Sequence, residues 1–241
     1  YRDGVLYIAA NDGFLHAFNG STGAELWAYS PRVIMPNLYK LGDVSYEQNH
    51  QYYVDGSPTT MDIFDTGSQT WKTILVGGLN KGGQGFYALD ITSPTSPKAL
   101  WEVCSDTTNC KSASRISDLG YSYGNPVITR LPAGNIHAGK WVVLLSSGYN
   151  NNTVSGSTGI GKIFVLDAMT GTLLDTYSTN EGTLTSPAGL SKISAVASNF
   201  YYDGYSTVAY AGDLNGKVWR FDLAKSGSDS DAVKLVGTAK D

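Results

Sequence analysis

The stretch GFLHAFN (residues 13–19) decides the fold, because its pattern returns three more times along the chain. The later copies are QGFYALD (84–90), GKIFVLD (161–167) and GKVWRFD (216–222). Each copy alternates apolar residues with others and closes on Asn or Asp, which is typical of a short β-strand entering a turn. Repeated strands separated by turns indicate stacked β units, each burying an apolar face against its neighbours.

Further strands are predicted ahead of these copies. The nearer ones are VLYIAA (5–10), TILVGG (73–78), WVVLLSSG (141–148) and TVAYAGD (207–213). Others are opened by a small residue and Pro, which a strand tolerates at its first residue, in GSPTTMDIF (56–64), GNPVITRL (124–131) and SPAGLSKISAVA (186–197). The units therefore predict antiparallel blades of an all-β propeller, of which this chain supplies about four repeats.

The turn that follows each copy explains why the closing residue is Asn or Asp, and no catalytic role is needed. A carboxylate or amide oxygen at this position can accept hydrogen bonds from backbone amides of the same turn. Two of the turns carry Thr-Gly, at Gly23 and Gly171, where glycine is free to adopt a positive φ. After the turns the chain reaches a large aromatic, at Trp27, Trp101 and Tyr177, and we expect these side chains to pack between neighbouring blades.

We expect the four repeats to form an incomplete ring, because propellers close with four to eight blades and the long insertions in this chain indicate a larger ring. We expect residues 1–241 to be part of a single propeller domain, which is either cut from a longer chain or closed by a segment elsewhere. The largest insertions between strands are 32–53, 104–123 and 150–160, which we expect to form the contact surfaces. Near the end of the chain, VKLVG (233–237) predicts one more strand, expected to start the next element.

Composition and charge exclude several functions. Charged residues are only 16% of the 241, and the abundance of Gly and Tyr is typical of extracellular β proteins. The net charge is −4, and the 17 Lys and Arg are scattered, so we expect no nucleic-acid partner. No apolar run approaches the ~18 residues that span a bilayer, so we expect no direct insertion into a membrane.

The two cysteines, Cys104 and Cys110, lie in WEVCSDTTNCKSAS (101–114) and are separated by polar residues. We expect them to close a surface loop as a disulfide in an exported protein; a pair of free thiols is the alternative. Redox or zinc spacing of the C-x-x-C type is absent, and no His lies nearby to complete a metal site.

Five runs of the sequence resemble, in the same order, the C-terminal propeller of the PilC/PilY family, which is built on quinoprotein-dehydrogenase-like repeats. They are ANDGFLHAFNGSTG (10–23), HQYYVDGSPT (50–59), ILVGGLNKGGQGFYALDIT (74–92), LGYSYGNPVI (119–128) and YAGDLNGKVWRFDL (210–223). The resemblance covers residues 5–223 and implies a modified β-propeller with seven blades when complete. It also implies a non-enzymatic type IV pilus biogenesis and surface-adhesion factor of a Gram-negative bacterium.

Export and partners follow from the same resemblance. The protein would be located at the cell surface, the pilus tip or the outer membrane. Its partners would be minor pilins and the pilus tip complex, with host or abiotic surfaces as further contacts.

A calcium loop is a second implication of the resemblance. Many family members carry D-x-D-x-D-x-x-x-D just ahead of the YAGDL run, and NFYYDGYST (199–207) stands there in this chain. The corresponding positions are degenerate, with one carboxylate left, at Asn199, Tyr201, Asp203, Tyr205 and Thr207. Calcium affinity depends on charged oxygen ligands, so we expect calcium to bind weakly or not at all, and no other cofactor. Tight binding would need backbone carbonyls, such as that of Tyr205.

Two other functions are open at this point. A quinoprotein dehydrogenase shares the repeat, but it needs a vicinal disulfide, which is absent, and a catalytic constellation. His16, His50 and His137 lie far apart in the sequence, and we expect His16 to be a packed core or interface residue. A periplasmic propeller scaffold for outer-membrane assembly also fits the repeats, but it fits the long insertions poorly. We therefore expect a non-enzymatic pilus component.

Overall fold

The structure is a computed structural model that describes residues 2, 4–106, 114–197 and 203–239. The first sheet in these residues contains β1 (Val5–Ala9), β2 (Leu15–Asn19) and β3 (Glu25–Tyr29). The second contains β4 (Thr59–Asp65), β5 (Thr70–Gly78), β6 (Gly85–Asp90), β7 (Lys98–Cys104) and β8 (Ser114–Arg115). A 3₁₀ helix, Met35–Gly42, lies in the connection between these two sheets.

The other two sheets have four strands each. The third sheet contains β9 (Val127–Arg130), β10 (Trp141–Ser146), β11 (Lys162–Asp167) and β12 (Leu173–Ser178). The fourth contains β13 (Ile193–Val196), β14 (Val208–Gly212), β15 (Lys217–Asp222) and β16 (Val233–Thr238). Within every sheet, strands adjacent in sequence are adjacent in space, which confirms the blades of a propeller.

The repeat has the same register in all four blades. The closing residue of each copy pairs with the strand before it, in the pairs Val5–Asn19, Ile74–Asp90, Val142–Asp167 and Val208–Asp222. These strand pairs are antiparallel, as predicted. Blade 2 carries one addition, because β8 joins the outer strand β7 in parallel.

VKLVG forms a strand, as predicted, but the expectation that it starts a new element is wrong. The segment is β16, and it pairs antiparallel with β15, with Phe221 opposite Val233 and Lys217 opposite Thr238. It is therefore the outer strand of blade 4. The alternation of side chains indicates a strand, but it carries no information about which neighbour the strand pairs with.

The core lies between successive blades. One apolar cluster joins blades 1 and 2, a second joins blades 2 and 3, and a third joins blades 3 and 4. Strand β6 is buried at every position because blade 2 has a neighbour on each face. Strand β1 buries only alternate residues, and Leu6 and Ile8 are 39% and 42% exposed on the open face of blade 1.

The predicted aromatic side chains connect each blade to the next. Each donates a hydrogen bond to a backbone carbonyl in the turn that follows the third strand of the next blade: Trp27 to Pro94 (2.7 Å), Trp101 to Ala168 (3.0 Å) and Tyr177 to Lys225 (2.6 Å). Gly171 illustrates how tightly these anchors fit. Its φ is +68°, and a Cβ there would lie 2.6 Å from Cγ of Trp101.

The closing residues act as predicted from turn chemistry. The side-chain oxygen of Asn19 accepts hydrogen bonds from the backbone amides of Ser21 (2.9 Å) and Thr22 (3.0 Å). The same Asx turn is formed by the later closing residues, Asp90 with Thr92, Asp167 with Met169 and Thr170, and Asp222 with Ala224. These carboxylates therefore stabilise turns at one end of the blades.

Candidate functional site

The three long insertions lie on the same face of the propeller. In an antiparallel blade, the connections between blades and the hairpins joining second to third strands leave from one end, while the closing turns lie at the other. We call the first end the loop face. Residues from all three insertions, together with the hairpin 79–84, line a single cleft of about 540 Å³ on the loop face. We call it the loop-face cleft.

Tyr53 fixes one wall of the loop-face cleft. Its side chain is buried, and its hydroxyl donates a hydrogen bond to the backbone oxygen of Asn37 (3.1 Å). Its backbone N–H donates to Oδ1 of Asn11 (3.1 Å). Burial raises the pKa of Tyr53, so this hydroxyl stays protonated as a donor. Gly82 packs directly on this backbone, since a Cβ there would lie 1.7 Å from the Tyr53 oxygen.

Lys81 presents a positive charge at the cleft. Its Nζ lies 4.6 Å from the centroid of the Tyr52 ring, in a cation–π contact. The His50 ring meets Tyr52 edge-on, with centroids 5.0 Å apart, and Tyr46 packs on His50. The positive charge of Lys81 is therefore held over an aromatic group that is partly preorganised by its neighbours.

Gln84 ties the opposite wall together. Its Nε2 donates to the backbone oxygen of Asn150 (3.0 Å) and to Oγ1 of Thr153 (2.9 Å). Its Oε1 accepts a hydrogen bond from Ser105 (2.7 Å). One side chain thus joins the hairpin of blade 2 to the insertions at 104–123 and 150–160.

Ser122 supports the base of this region, and no motif in the sequence indicates a functional role for it. Its Oγ accepts hydrogen bonds from the backbone amides of Leu79 (2.8 Å) and Asn80 (3.2 Å) and donates to the oxygen of Gly85 (3.1 Å). The residue is buried. The SYGNP run therefore has a structural role, because it fixes the hairpin that carries Lys81.

The predicted calcium loop is only partly within the described residues, because Asn199 and Tyr201 lie outside them. The Asp203 carboxylate accepts a hydrogen bond from the backbone amide of Tyr205 (3.1 Å), forming an Asx turn. In the described part of the chain, no group of three or more His, Cys, Asp or Glu side chains is placed to hold a metal ion.

The side chain of Arg130 packs against this loop. The guanidinium of Arg130 lies 4.3 Å from the centroid of the Tyr205 ring and donates to the backbone oxygen of Asp203 (3.3 Å). Thr207, the last predicted ligand position, donates its backbone N–H to the oxygen of Val196 (3.0 Å). A cation held against the Asp203 backbone opposes binding of a dication there, so the described positions 203, 205 and 207 fit calcium poorly. Weak calcium binding stays a prediction.

The cysteine prediction is also untested. Cys104 ends β7, is buried and lies at the loop-face cleft. Cys110 lies outside the described residues, so the disulfide stays a prediction.

The three histidines are not brought together. His16 lies in β2, where its ring nitrogens contact Glu25 (2.8 Å) and Asp12 (2.9 Å), with its side chain 17% exposed. Burial acts to lower the pKa of His16, but the hydrogen bonds to Glu25 and Asp12 outweigh it and raise the pKa. His50 lies at the cleft, and His137 contacts the Leu174 oxygen (3.3 Å) near the other end of the blades.

The PilY1 beta-propeller domain family model matches residues 1–240. The chain belongs to this family. The type IV pilus biogenesis factor PilY1 of Pseudomonas aeruginosa (strain UCBPP-PA14) is 38% identical over 224 residues, which cover 92% of this chain and 17% of that protein. A PilY1 homologue of Xylella fastidiosa (strain Temecula1) is 37% identical over 220 residues, covering 91% and 16%.

The fold is confirmed by a solved relative. The crystal structure of the P. aeruginosa PilY1 C-terminal domain matches with a TM-score of 0.68 and 32% identity, covering 96% of this chain and 43% of that chain. The resemblance to the PilC/PilY family is therefore correct. This chain spans less than a fifth of the length of the curated relatives. No helix in the described residues is long and apolar enough to cross a membrane.

Proposed function

We propose that this chain is the propeller part of a type IV pilus biogenesis factor that acts without catalysis at the pilus tip or the cell surface. The observation that carries the proposal is the 38% identity, over 92% of the chain, to a protein named as a type IV pilus biogenesis factor. The family match along residues 1–240 supports the same assignment for the whole piece.

The geometry supports a binding role over an enzymatic one. Among the described residues, none of the three histidines hydrogen-bonds a serine or cysteine side chain, and the closing carboxylates are used in turns. Hydrogen bonds of Gln84 join the hairpin 79–84 to the insertions 104–123 and 150–160, and blade 2, which carries this hairpin, is packed on both faces. Such a surface suits recognition, because loops carried by a rigid scaffold can vary without unfolding the core.

Location and partners form the finer part of the proposal. The protein would be exported to the cell surface, the pilus tip or the outer membrane, and the low charge content of the chain agrees with an extracellular protein. The loop face would contact minor pilins and the pilus tip complex, and it would meet host or abiotic surfaces during adhesion.

Deletion of the gene in the bacterium that encodes it tests the proposal. We expect surface pili, twitching motility and attachment to decrease together, and the full-length gene to restore them. A strain that keeps all three would refute the assignment. Defective outer-membrane assembly in the deletion strain would favour the periplasmic scaffold. Quinone-dependent dehydrogenase activity of the purified protein would favour an enzyme.

A further inference from the structure

We propose that the loop-face cleft is a docking site for a short acidic segment of a protein partner. The inference rests on the proposed function in taking the loop face as a contact surface, and it extends that function by giving the chemistry of the partner. It is carried by three features of the cleft, which are its charge, its aromatic wall and its unused amide groups.

The charge of the cleft differs from that of the chain. The protein has a net charge of −4, yet the cleft is lined by Lys40 and Lys81. No ion pair forms with either ammonium group among the described residues. Five lysines elsewhere each lie against an acid: Lys72 with Asp90, Lys140 with Asp167, Lys162 with Asp118, Lys217 with Glu181 and Lys225 with Asp231. Lys98, Lys192 and Lys234 also form no ion pair among the described residues, but they do not line the cleft. The cleft lysines are thus left for an external anion.

Lys81 is positioned for such a contact. The Tyr52 ring holds its ammonium group at 4.6 Å from the ring centroid, which reduces the freedom that this long side chain would lose on binding. An ammonium group bound to a carboxylate makes a charge-assisted hydrogen bond, stronger than a neutral one. Asp106 is the one acidic side chain lining the cleft in the described part of the chain.

The remaining groups favour a peptide over a small anion. Tyr52 and Tyr121 offer rigid amphipathic surface, and the loops are rich in Asn, Gln, Ser and Gly, a composition that suits adaptable recognition of protein surfaces. The side-chain amide of Asn37 and the amide oxygen of Gln51 make no hydrogen bond within the described residues, so they are available to a peptide backbone. The volume of about 540 Å³ lies within the range of ligand clefts.

The experiment measures binding of fluorescein-labelled hexaglutamate to the full-length protein by fluorescence anisotropy. We expect saturable binding that weakens as salt increases, and no binding of labelled hexalysine. The double variant Lys40→Glu/Lys81→Glu should weaken binding by about tenfold or more. Lys98→Glu is the matched control, because Lys98 is exposed at the opposite end of the blades, and it should leave the affinity within about twofold.

Milder variants and a competitor complete the test. Lys40→Gln/Lys81→Gln removes the charge without reversing it and should still lower the affinity, with an unchanged circular dichroism spectrum. Equal binding by wild type and double variant would overturn the proposal, as would the absence of hexaglutamate binding. Binding of trigalacturonate in place of hexaglutamate would also overturn it, in favour of an acidic sugar.

The two proposals can fail separately. If hexaglutamate binds the cleft and gene deletion leaves the pili unchanged, the pilus function fails and the docking site is supported. If deletion abolishes the pili and hexaglutamate binding is indifferent to the two lysines, the docking site alone is refuted.

Discussion

Replacing Trp101 with phenylalanine tests whether aromatic side chains lock successive blades together. Trp101 lies in the outer strand of blade 2, is 7% exposed and donates from Nε1 to the Ala168 oxygen of blade 3 (3.0 Å). Phenylalanine keeps one aromatic ring at this position, but it lacks the N–H donor and the second ring. The substitution therefore removes the anchor with little change in polarity or backbone preference.

The expected loss of stability has two parts. Leaving the buried Ala168 oxygen without its donor costs about 1–3 kcal/mol. The cavity left by the missing ring atoms adds about 1 kcal/mol, at ~24 cal/mol per Å³. We therefore expect the free energy of unfolding to decrease by about 2–4 kcal/mol.

Urea unfolding of the purified protein, followed by circular dichroism, measures this change. Trp71→Phe is the matched control, because Trp71 is 62% exposed and contacts Phe64 edge-on at the surface of the same blade. The control should change the free energy of unfolding by less than about 0.5 kcal/mol, with similar m-values in both variants. Equal destabilisation by the two substitutions would show that Trp101 contributes no more than a surface aromatic.

Three further predictions concern ionisation, metal binding and oxidation. The pKa of His16 is raised in the folded state, so the stabilisation that its protonation provides is complete below the unfolded pKa of about 6.5 and is lost as the pH rises through the folded value. The free energy of unfolding should therefore decrease over that pH interval. Urea titrations at several pH values should show a smaller decrease for His16→Gln. Calorimetric titration with calcium should show no tight site at 199–207; a tight site abolished by Asp203→Ala would contradict this. Peptide mapping of the exported protein without reductant should recover Cys104 linked to Cys110, whereas two free thiols would exclude the disulfide.

The parts of the fold that the sequence could predict are those set by local chemistry. Asn19 and Asp167 close their turns with their own side chains, and Gly23 and Gly171 supply positive φ within the same few residues. These interactions involve only residues within the same turn, so the repeated sequence motif is sufficient to predict the turns. The aromatic anchors also followed, because a large side chain recurring at the end of each unit has only the next unit to pack against.

The candidate site could not be assembled from the sequence, because its contacts are non-local. Gln84 contacts Asn150 across 66 residues, and nothing in either local sequence indicates the other. The long insertions were correctly identified as separate surface elements, but their convergence on one cleft depends on the order and direction of the blades. The two-residue strand β8 was missed for a related reason, since so short a segment has no periodicity to detect.

The hydrophobic pattern of each blade nevertheless indicates whether the blade has neighbours on both faces or on one. Strand β5 ends in the continuous run ILVGG and β10 contains the run VVLLS, and both runs are buried because blades 2 and 3 have a neighbour on each face. Strands β1 and β14 alternate buried with exposed residues, as expected for a sheet with one covered face. Leu6, Ile8 and Val218 then place apolar surface on the two open faces. This is the surface that further blades would cover in the seven-bladed ring that the resemblance implies, whereas the loop-face cleft lies at the end of the blades.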